Sequence, residues 1–350
     1  MDTFIKRSKR ERMEIIGQTA QSLGMTPAAI EKDFWVCWIL QRLFASPLKK
    51  SIIFKGGTSL SKVYRLIKRF SEDIDLILNW SSFQVQTDWN PGEKYGKSNR
   101  EKMLKDLDEW NIRRIVEEIL PIVRQCCEPI CNATWYPERP ETIIITYPRC
   151  LEYEYIRREV LLEIGPKAAW NPHEEHVIVP YIAEAYPHLF RNTEARVMVT
   201  TAERAFWEKI TILHAQAMRQ SPLPKRYARH YYDTVMMFRN RDLRDRAFAD
   251  VRLLYQVSSF KYYFYRAGWA DYPKAVPGTL HLMPQGHILK ELEDDYLEMS
   301  KEMLSADAPT FDKLLDDIKM LETEANKLAP LGLDVKNYPT MEQQGKGENV

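Results

Sequence analysis

The stretch from Ser51 to Trp80 constrains the fold of this chain more than any other. It reads SIIFKGGTSLSKVYRLIKRFSEDIDLILNW, that is, a short apolar run, a glycine pair, an amphipathic helical pattern, and a second apolar run led by acidic residues. Alternate side chains of a strand lie on opposite faces, so Asp73 and Asp75 share one face while Ile74 packs on the other. The stretch therefore predicts a strand, a tight turn, a helix and a second strand that carries two neighbouring carboxylates.

The pair Gly56-Gly57 favours a close approach between the backbone and a ligand, because glycine has no Cβ atom and turns sharply. Thr58 and Ser59 follow at the start of the predicted helix, where free N–H groups and the helix dipole favour an anion. Two adjacent carboxylates repel each other unless a cation lies between them, and Mg²⁺ prefers such oxygen ligands. A phosphate cradle one helix away from a carboxylate pair suits a nucleoside triphosphate with its metal.

Two motifs in this stretch resemble the signature of the AbiEii/AbiGii toxin-type nucleotidyltransferases, which belong to the polymerase-β-like superfamily. They are Lys55-Gly-Gly-Thr-Ser-Leu and Arg69-Phe-Ser-Glu-Asp-Ile-Asp75. The resemblance implies an α/β (α+β) fold, with a nucleotidyltransferase core whose mixed β-sheet is flanked by helices and a helical domain after it. It also implies an NTP substrate, one or two Mg²⁺ ions, and the role of toxin in a toxin–antitoxin or phage-defence system. RNA, notably the 3′ end of tRNA, is the implied acceptor, and a cognate antitoxin is an implied partner.

Composition is that of an ordinary globular protein, since 45% of the 350 residues are hydrophobic and 28% are charged. The net charge of +1 excludes a polybasic chain, so any basic surface is local. Residues 191–230 contain eight Lys/Arg against three Glu, whereas residues 291–325 contain twelve Asp/Glu against three Lys. Five cysteines without disulfide-framework spacing, no signal peptide and no membrane-length apolar run predict a cytoplasmic protein that does not enter a membrane.

The pattern of helical, strand-like and polar stretches predicts four segments. Residues 1–50 form N-terminal helices that pack on the core, residues 51–198 form the nucleotidyltransferase core, residues 199–329 form a helical domain, and residues 330–350 form a disordered polar tail.

The N-terminal segment contains a strongly apolar helix that begins after the N-cap Thr26, with Pro27 at its first position. Its start, Glu31-Lys32-Asp33-Phe-Trp, also resembles the N-terminal helix of the family. The favoured interpretation of these three charges is nevertheless a solvated helix start.

Two runs rich in β-branched residues, 141–147 and 159–164, predict a hairpin. Glu163 is a carboxylate in an otherwise apolar strand, which costs free energy unless it is paired or binds a cation. Because superfamily members carry a third acidic residue on a neighbouring strand, Glu163 is the best candidate to join Asp73 and Asp75 as a metal ligand. The alternative is a glutamate that faces water from an edge strand.

Two other groups have the composition of a metal site but not its spacing. His173 and His176 lie in a segment, residues 171–176, that is predicted to be a proline-bounded loop, and Cys126, Cys127 and Cys131 lack a second pair of ligands for zinc. Ordinary loop and core roles are the favoured interpretations.

Residues 201–214 predict an amphipathic helix, and Lys209 lies on its apolar stripe rather than facing solvent. A lysine in this position usually reaches an anion, and a triphosphate is a natural one. Lys209 also matches the lysine of a later family motif. The alternative is a lysine whose stem lies along the core edge while its head stays in water.

The motif Arg229-His-Tyr-Tyr-Asp233 is also similar to the family. The functional interpretation is that Asp233 orients Lys209 or the acceptor, while Arg226 and Arg229 bind phosphates. The alternative is a structural Arg229–Asp233 pair one turn apart. For the aromatic run at residues 260–265, core packing is favoured over stacking on single-stranded nucleic acid.

The predicted site combines these residues. The catalytic candidates are Asp73, Asp75, Lys209 and Asp233; the nucleotide-binding candidates are Lys55, Gly56, Gly57, Thr58, Ser59, Ser71, Lys209 and Arg229; the metal ligands are Asp73, Asp75 and Glu163. Two alternatives remain open: a nucleotidyltransferase whose acceptor is a small molecule or a protein hydroxyl, and an inactive relative that only binds nucleotides or a partner.

Overall fold

A mixed seven-stranded sheet, flanked by helices and followed by a helical region, forms the fold of this computed structural model, as the sequence predicts. The structure describes residues 1–69, 71–93, 95–152, 158–305 and 307–339. The strands are β1 (Ile52–Lys55), β2 (Ile74–Leu78), β3 (Asn132–Trp135), β4 (Thr142–Thr146), β5 (Glu159–Gly165), β6 (His173–Ile178) and β7 (Ala195–Thr200). They lie in the order β3-β4-β5-β2-β1-β7-β6.

The first eight helices precede, separate or follow the strands of the sheet. They are α1 (Asp2–Ile5), α2 (Lys9–Leu23), α3 (Pro27–Ala45), α4 (Gly56–Lys62), α5 (Ser81–Thr87), α6 (Lys97–Arg114), α7 (Leu120–Cys127) and α8 (Tyr181–Ala185). A π-helical turn, Ile115–Ile119, joins α6 to α7. The remaining helices are α9 (Ala202–Ala217), α10 (Ala228–Arg239), α11 (Arg241–Ala249), α12 (Val251–Phe264), α13 (His287–Glu302) and α14 (Phe311–Asn326).

The predicted strand–turn–helix–strand unit is confirmed as β1, α4 and β2. β1 pairs antiparallel with β2 and parallel with β7, whereas β2 pairs parallel with β5. The predicted hairpin is also confirmed, because β4 pairs antiparallel with residues 159–163 of β5.

Two loop predictions are wrong. Residues 171–176 were expected to be a loop, but His173–Ile178 is the edge strand β6, paired with β7. The sequence of β6 lacks the alternation of apolar and polar residues that predicts a strand, because an edge strand can carry charged and polar side chains. The polar stretch from 81 to 100, whose Pro91-Gly92 pair and Gly96 predict a loop, also contains α5 and the start of α6.

The helix α3 lies against the sheet and is apolar on nearly every side, with both Trp35 and Trp38 buried. The prediction that its charged start is solvated is wrong: Glu31 is 1% exposed and Lys32 is 0% exposed. These charges have partners elsewhere in the fold, so burial does not leave them unpaired.

Buried apolar residues form two large clusters. One lies around the sheet and α3; the other joins the helices from α9 to α14. Leu60 of α4 and Leu66 just after it belong to the second cluster, so the segment between the glycine pair and the aspartates packs against the helical region. Phe260, Tyr263 and Phe264 belong to the first cluster, which supports core packing for most of that aromatic run.

The tail predicted to be disordered makes contacts as far as Tyr338. Its backbone accepts hydrogen bonds from Ser259 and Tyr263 of α12, and Val335 is buried. The rest of that predicted tail, residues 340–350, lies outside the described residues. Within the described ranges, none of the helices is both long and apolar enough to cross a membrane.

Candidate active site

A row of charged side chains crosses three adjacent strands. Asp75 of β2 is opposite Lys55 of β1 on one side and opposite Glu163 of β5 on the other. Paired residues of neighbouring strands point to the same face of a sheet, so the two carboxylates lie side by side. Asp73 precedes β2 by one residue and shares this face. The internal position of β5 also removes the edge-strand alternative for Glu163.

The environment of Glu163 opposes its ionisation. Burial raises the pKa of this carboxyl, and the charges of Asp75 and Asp73 raise it further. Arg139 partly offsets the effect from 3.3 Å, but its side chain is 44% exposed. Neighbouring carboxylates of β2 and β5 therefore lie close together on this face of the sheet, with Lys55 and Arg139 beside them.

The glycine pair lies directly against these carboxylates. Gly56 has a φ of +83°, and a Cβ atom on it would lie 1.9 Å from Oδ2 of Asp75. A Cβ atom on Gly57 would lie 2.6 Å from Nη2 of Arg69 and 2.7 Å from Oγ of Ser71. At Gly56 the positive φ and the contact with Asp75 both favour glycine, whereas at Gly57 a side chain would have to displace Arg69 and Ser71.

The hydroxyl groups of Thr58 and Ser59 are buried and hold the turn in place. Ser59 Oγ donates to the carbonyl oxygen of Gly56 over 2.8 Å. Thr58 Oγ1 donates to the carbonyl oxygen of Asp73 over 2.5 Å and lies 3.1 Å from Ser71 Oγ. These bonds tie the start of α4 to the segment that carries the aspartates, so the two side chains shape the turn.

The helical region contributes a buried ion-pair network. Asp233 of α10 accepts from Arg69 through both oxygens, over 2.6 and 2.9 Å, and from Lys209 of α9 over 2.7 Å. Asp233 is fully buried, and the side chains of Arg69 and Lys209 are 4% and 13% exposed. The structure thus brings the predicted Lys209 and Asp233 together. It pairs Asp233 with Arg69 rather than with Arg229.

Charge keeps Asp233 ionised although it is buried. Burial alone would raise the pKa of Asp233, but Arg69 and Lys209 more than offset burial and hold it well below its usual value. Nδ1 of His230 lies 3.3 Å from Nζ of Lys209, and burial together with that charge lowers the pKa of His230 well below its usual value. A neutral imidazole can therefore accept from the ammonium group of Lys209.

More cations surround the charged row. Burial lowers the pKa of Lys261 on α12 to about 8; Glu208 opposes this shift, and Lys55, Arg204 and Lys209 add to it. Lys261 lies 4.4 Å from the ring centre of Tyr265, and Arg204 pairs with Glu208 over 3.0 Å. Within the described ranges, neither Lys55 nor Lys261 forms an ion pair, so both are available to an anionic ligand.

Two predicted phosphate ligands lie at the surface. Arg229 is exposed, and its charge contributes to the lowered pKa values of Lys209 and His230. Arg226 is exposed too, and its backbone N–H donates to Asp295 over 2.6 Å. Arg229 therefore belongs to the surroundings of Lys209, while the backbone of Arg226 is held by α13.

The described residues contain no group of three His, Cys, Asp or Glu placed to hold a metal ion unaided. The five cysteines are free thiols, and His176 pairs with Glu174 over 2.9 Å. Cys127 and Cys131 are buried as predicted for core residues, whereas His173 and His176 lie on β6 and not in the predicted loop. The carboxylates on the sheet still suit Mg²⁺, which commonly takes one or two carboxylates and completes its octahedron with water and substrate phosphate.

Sequence reasoning assigned no role to Arg69, although it opens the second motif. Its contact with Gly57 and its two bonds to Asp233 connect the glycine turn to the helical region. A buried arginine needs an acidic partner, and Asp233 is 164 residues away. No local pattern could reveal that pair.

Comparison with known proteins gives the class. Residues 38–317 match the family described as "Nucleotidyl transferase AbiEii toxin, Type IV TA system". The chain belongs to this family of nucleotidyltransferase toxins, for which a nucleoside triphosphate is the implied substrate.

Among solved structures, the chain is similar to MenT4, a nucleotidyltransferase toxin from Mycobacterium tuberculosis H37Rv. The two are 15% identical, the match covers 90% of each chain, and the TM-score is 0.49. No curated protein sequence matches this chain.

Proposed function

We propose that this nucleotidyltransferase toxin transfers a nucleotide from an NTP to a hydroxyl group of RNA, with the 3′ end of tRNA as the acceptor. The acceptor oxygen attacks the α-phosphorus of the NTP, the bond between the α- and β-phosphates breaks, and pyrophosphate leaves. Family membership and the local excess of Lys/Arg in residues 191–230 support this choice.

One observation carries the assignment of the site. The glycine turn contacts Asp75 through Gly56 and Arg69 through Gly57. Arg69 is bound to Asp233, and Asp233 is bound to Lys209. Carboxylates that suit a metal ion and cations that suit phosphates therefore meet around a single turn.

Asp73, Asp75 and Glu163 are the residues that would hold Mg²⁺ in this proposal, together with phosphate oxygens of the NTP. When bound, the metal lowers the pKa of the acceptor hydroxyl and neutralises charge on the departing pyrophosphate. The position of Glu163 opposite Asp75 supports this assignment, and burial followed by the charges of Asp75 and Asp73 raises the pKa of Glu163.

The other candidates bind and orient the nucleotide. The backbone of Gly56 and Gly57, without side chains in the way, approaches the β- and γ-phosphates, and Ser71 offers a hydroxyl beside them. Lys55, Lys209 and Arg229 neutralise phosphate charge, and Asp233 fixes the direction of Lys209 through the 2.7 Å bond. Thr58 and Ser59 act by holding the turn.

The decisive experiment incubates the protein with each of the four labelled NTPs and Mg²⁺, offering total tRNA, protein and an aminoglycoside in turn. We expect label in tRNA, no label after chelation of the metal, and none with Asp73→Asn. Label on protein or on the antibiotic would instead support the other acceptor classes. No label anywhere, with toxicity in cells unchanged by Asp73→Asn, would support an inactive binding relative.

Two further parts of the proposal follow from the family and from the thiols. A cognate antitoxin is the expected protein partner, and co-expression with the neighbouring gene should relieve toxicity. The five free cysteines support a reducing, cytoplasmic location.

A further inference from the structure

The helix α3 carries three consecutive charged residues, Glu31, Lys32 and Asp33, in an otherwise apolar sequence. Lys32 is 0% exposed and Glu31 is 1% exposed. A buried ammonium group is expensive unless carboxylates and carbonyl oxygens surround it. The partners of Lys32 should therefore explain why the fold keeps a charge there.

Lys32 connects the two strands that carry the carboxylates of the site. Its Nζ lies 3.3 Å from Oε2 of Glu72 and donates to the carbonyl oxygen of Glu159. Glu72 is the residue before Asp73, and Glu159 is the first residue of β5, the strand of Glu163. One ammonium group thus holds the entry to β2 and the start of β5.

The neighbours of Lys32 hold other parts of the fold. Asp33 pairs with Lys62 over 2.8 Å and accepts from the backbone N–H of Tyr181 over 2.8 Å. Glu31 accepts from the backbone N–H of Cys150 over 2.6 Å. Of these three charges, it is Lys32 whose described bonds reach the residue beside Asp73.

We propose that Lys32 is a positioning residue for nucleotidyl transfer. Acting through Glu72 and the carbonyl group of Glu159, it fixes the strands β2 and β5 relative to each other, and with them Asp73, Asp75 and Glu163. The inference rests on the proposed function for the reaction itself. Lys32 lies outside the family match, which begins at residue 38, so that match assigns it no role.

The test compares Lys32→Met with Lys62→Met. Both changes remove a buried lysine of similar exposure, since the Lys32 and Lys62 side chains are 1% and 4% exposed, and each leaves a carboxylate without its lysine. We expect both to lower the melting temperature. Measured well below that temperature, Lys32→Met should lower kcat by about 10- to 100-fold, the scale of a small misplacement of reacting groups. Lys62→Met should keep kcat within about twofold of wild type, because it should not misplace the reacting groups.

A double-mutant cycle shows whether Lys32 acts through Glu72. Glu72→Gln alone should lower kcat, and adding Lys32→Met should lower it by less than the product of the two single effects. Equal kcat losses in Lys32→Met and Lys62→Met, or wild-type kcat in Lys32→Met, would overturn the proposal. If Lys32→Met does not fold, kcat is measured for Glu72→Gln and Lys32→Arg instead. Wild-type kcat in both variants would overturn the proposal. A loss of kcat without a matching fall in melting temperature would support it.

A binding measurement separates this inference from the proposed function. Calorimetry with Mg²⁺ and a non-hydrolysable triphosphate needs no acceptor. Weaker binding by Lys32→Met than by Lys62→Met supports the positioning role even if wild-type protein labels no acceptor. If the two variants bind the triphosphate equally and the wild-type protein labels no acceptor, both proposals are overturned.

Discussion

The two sides of the site satisfy their charges in opposite ways. On the helical side, Asp233 is fully buried and bonded by two cations, so that network is complete without a ligand. On the sheet side, Asp75 and Glu163 lie next to each other, and Glu163 has only the largely exposed Arg139 as an ion-pair partner among the described residues. The raised pKa of Glu163 and the lowered pKa of Asp233 express this difference.

The comparison separates a side whose buried charges are already paired from a side whose carboxylates lie close together. A buried, fully bonded network has little freedom to move, so it can hold Lys209 in one direction. Neighbouring carboxylates repel each other and are stabilised by a bound cation. We therefore expect changes on the sheet side to reduce rate more than stability, and changes on the helical side to reduce both.

The largest expected effect on rate is that of Asp73→Asn. Because this change removes charge that the metal and the triphosphate need, kcat should fall on the order of 10³-fold, as when a preorganised charged group is lost. The melting temperature should stay close to wild type, since Asp73 is only half-buried. Steady-state kinetics and thermal unfolding test this. A fully active Asp73→Asn variant would contradict the expectation that changes to the sheet-side carboxylates reduce the rate.

The largest expected effect on stability is that of Asp233→Asn. It leaves Arg69 and Lys209 buried beside a neutral amide, so the free energy of unfolding should fall by about 3–5 kcal/mol, and kcat should fall as well. Asp317→Asn is the matched control, because Asp317 is also buried and binds two cations, Arg239 and Lys313. These cations are more exposed, so we expect a smaller loss of stability and an unchanged kcat.

Wild-type protein and Asp233→Asn should also differ in their stability in acid. The pKa of Asp233 is lowered in the folded state, so its contribution to stability is present above the pKa of the unfolded carboxyl, about 4, and is lost as pH falls through the folded value. Wild-type protein should therefore lose stability in acid more steeply than Asp233→Asn. Equal acid slopes in urea unfolding would contradict the assignment.

How much the sequence predicts follows from the same contrast. The sheet side could be predicted because its elements are close in the chain: the glycine pair, the two aspartates and the apolar runs fix a strand–turn–helix–strand unit by spacing alone. The sequence indicates Glu163 as a candidate, because a carboxylate in an apolar strand costs free energy unless it is paired or binds a cation. Its register opposite Asp75 could not be derived, since strand pairing depends on the whole sheet.

The helical side could be predicted only in part. The sequence indicates Lys209 by its position on an apolar helix stripe and Asp233 by a motif similar to the family. Arg69 approaches both from a distant part of the chain. The prediction of a solvated start for α3 was wrong for a similar reason, because the partners of its charges are distant in the chain. A charged triplet at a helix start is usually solvated, and only the tertiary fold places Glu72 and Lys62 against it. The edge strand β6 was missed because its polar residues show no apolar alternation.

Gly56→Ala tests the contact between the turn and the sheet side. The new Cβ atom would lie 1.9 Å from Oδ2 of Asp75, and φ is +83°, so we expect a loss of about 1–3 kcal/mol in unfolding free energy, together with weaker activity. Gly17→Ala in α2 is the control, because no atom lies within 4 Å of its Cβ position. It should stabilise the protein by about 0.5–1 kcal/mol. Equal stability of Gly56→Ala and Gly17→Ala would contradict the close contact between Gly56 and Asp75.

The smallest effect is expected at Lys261, where the two sides meet. Its pKa is lowered to about 8, so its charge fades as pH rises through that value. If Lys261 neutralises triphosphate charge beside Lys55, Lys209, Arg204 and Glu208, the KM for NTP should rise a few-fold between about pH 7 and 9. Lys261→Met should have the higher KM already at about pH 7, and its KM should change less than that of wild type as pH rises to about 9. Lys319→Met, on the exposed face of α14, should behave like wild type.

Stability gives an independent measure of the same charge. The unfolded chain keeps the proton of Lys261 up to about pH 10.4, whereas the folded protein releases it near pH 8. Between these values the unfolded state binds more protons, so this lysine makes the protein more stable as pH rises, and Lys261→Met should lack that increase. An identical pH dependence of unfolding in wild type and Lys261→Met would mean that Lys261 keeps an ordinary pKa. Lys261 would then stay charged between about pH 7 and 9 and could not cause the predicted change in KM.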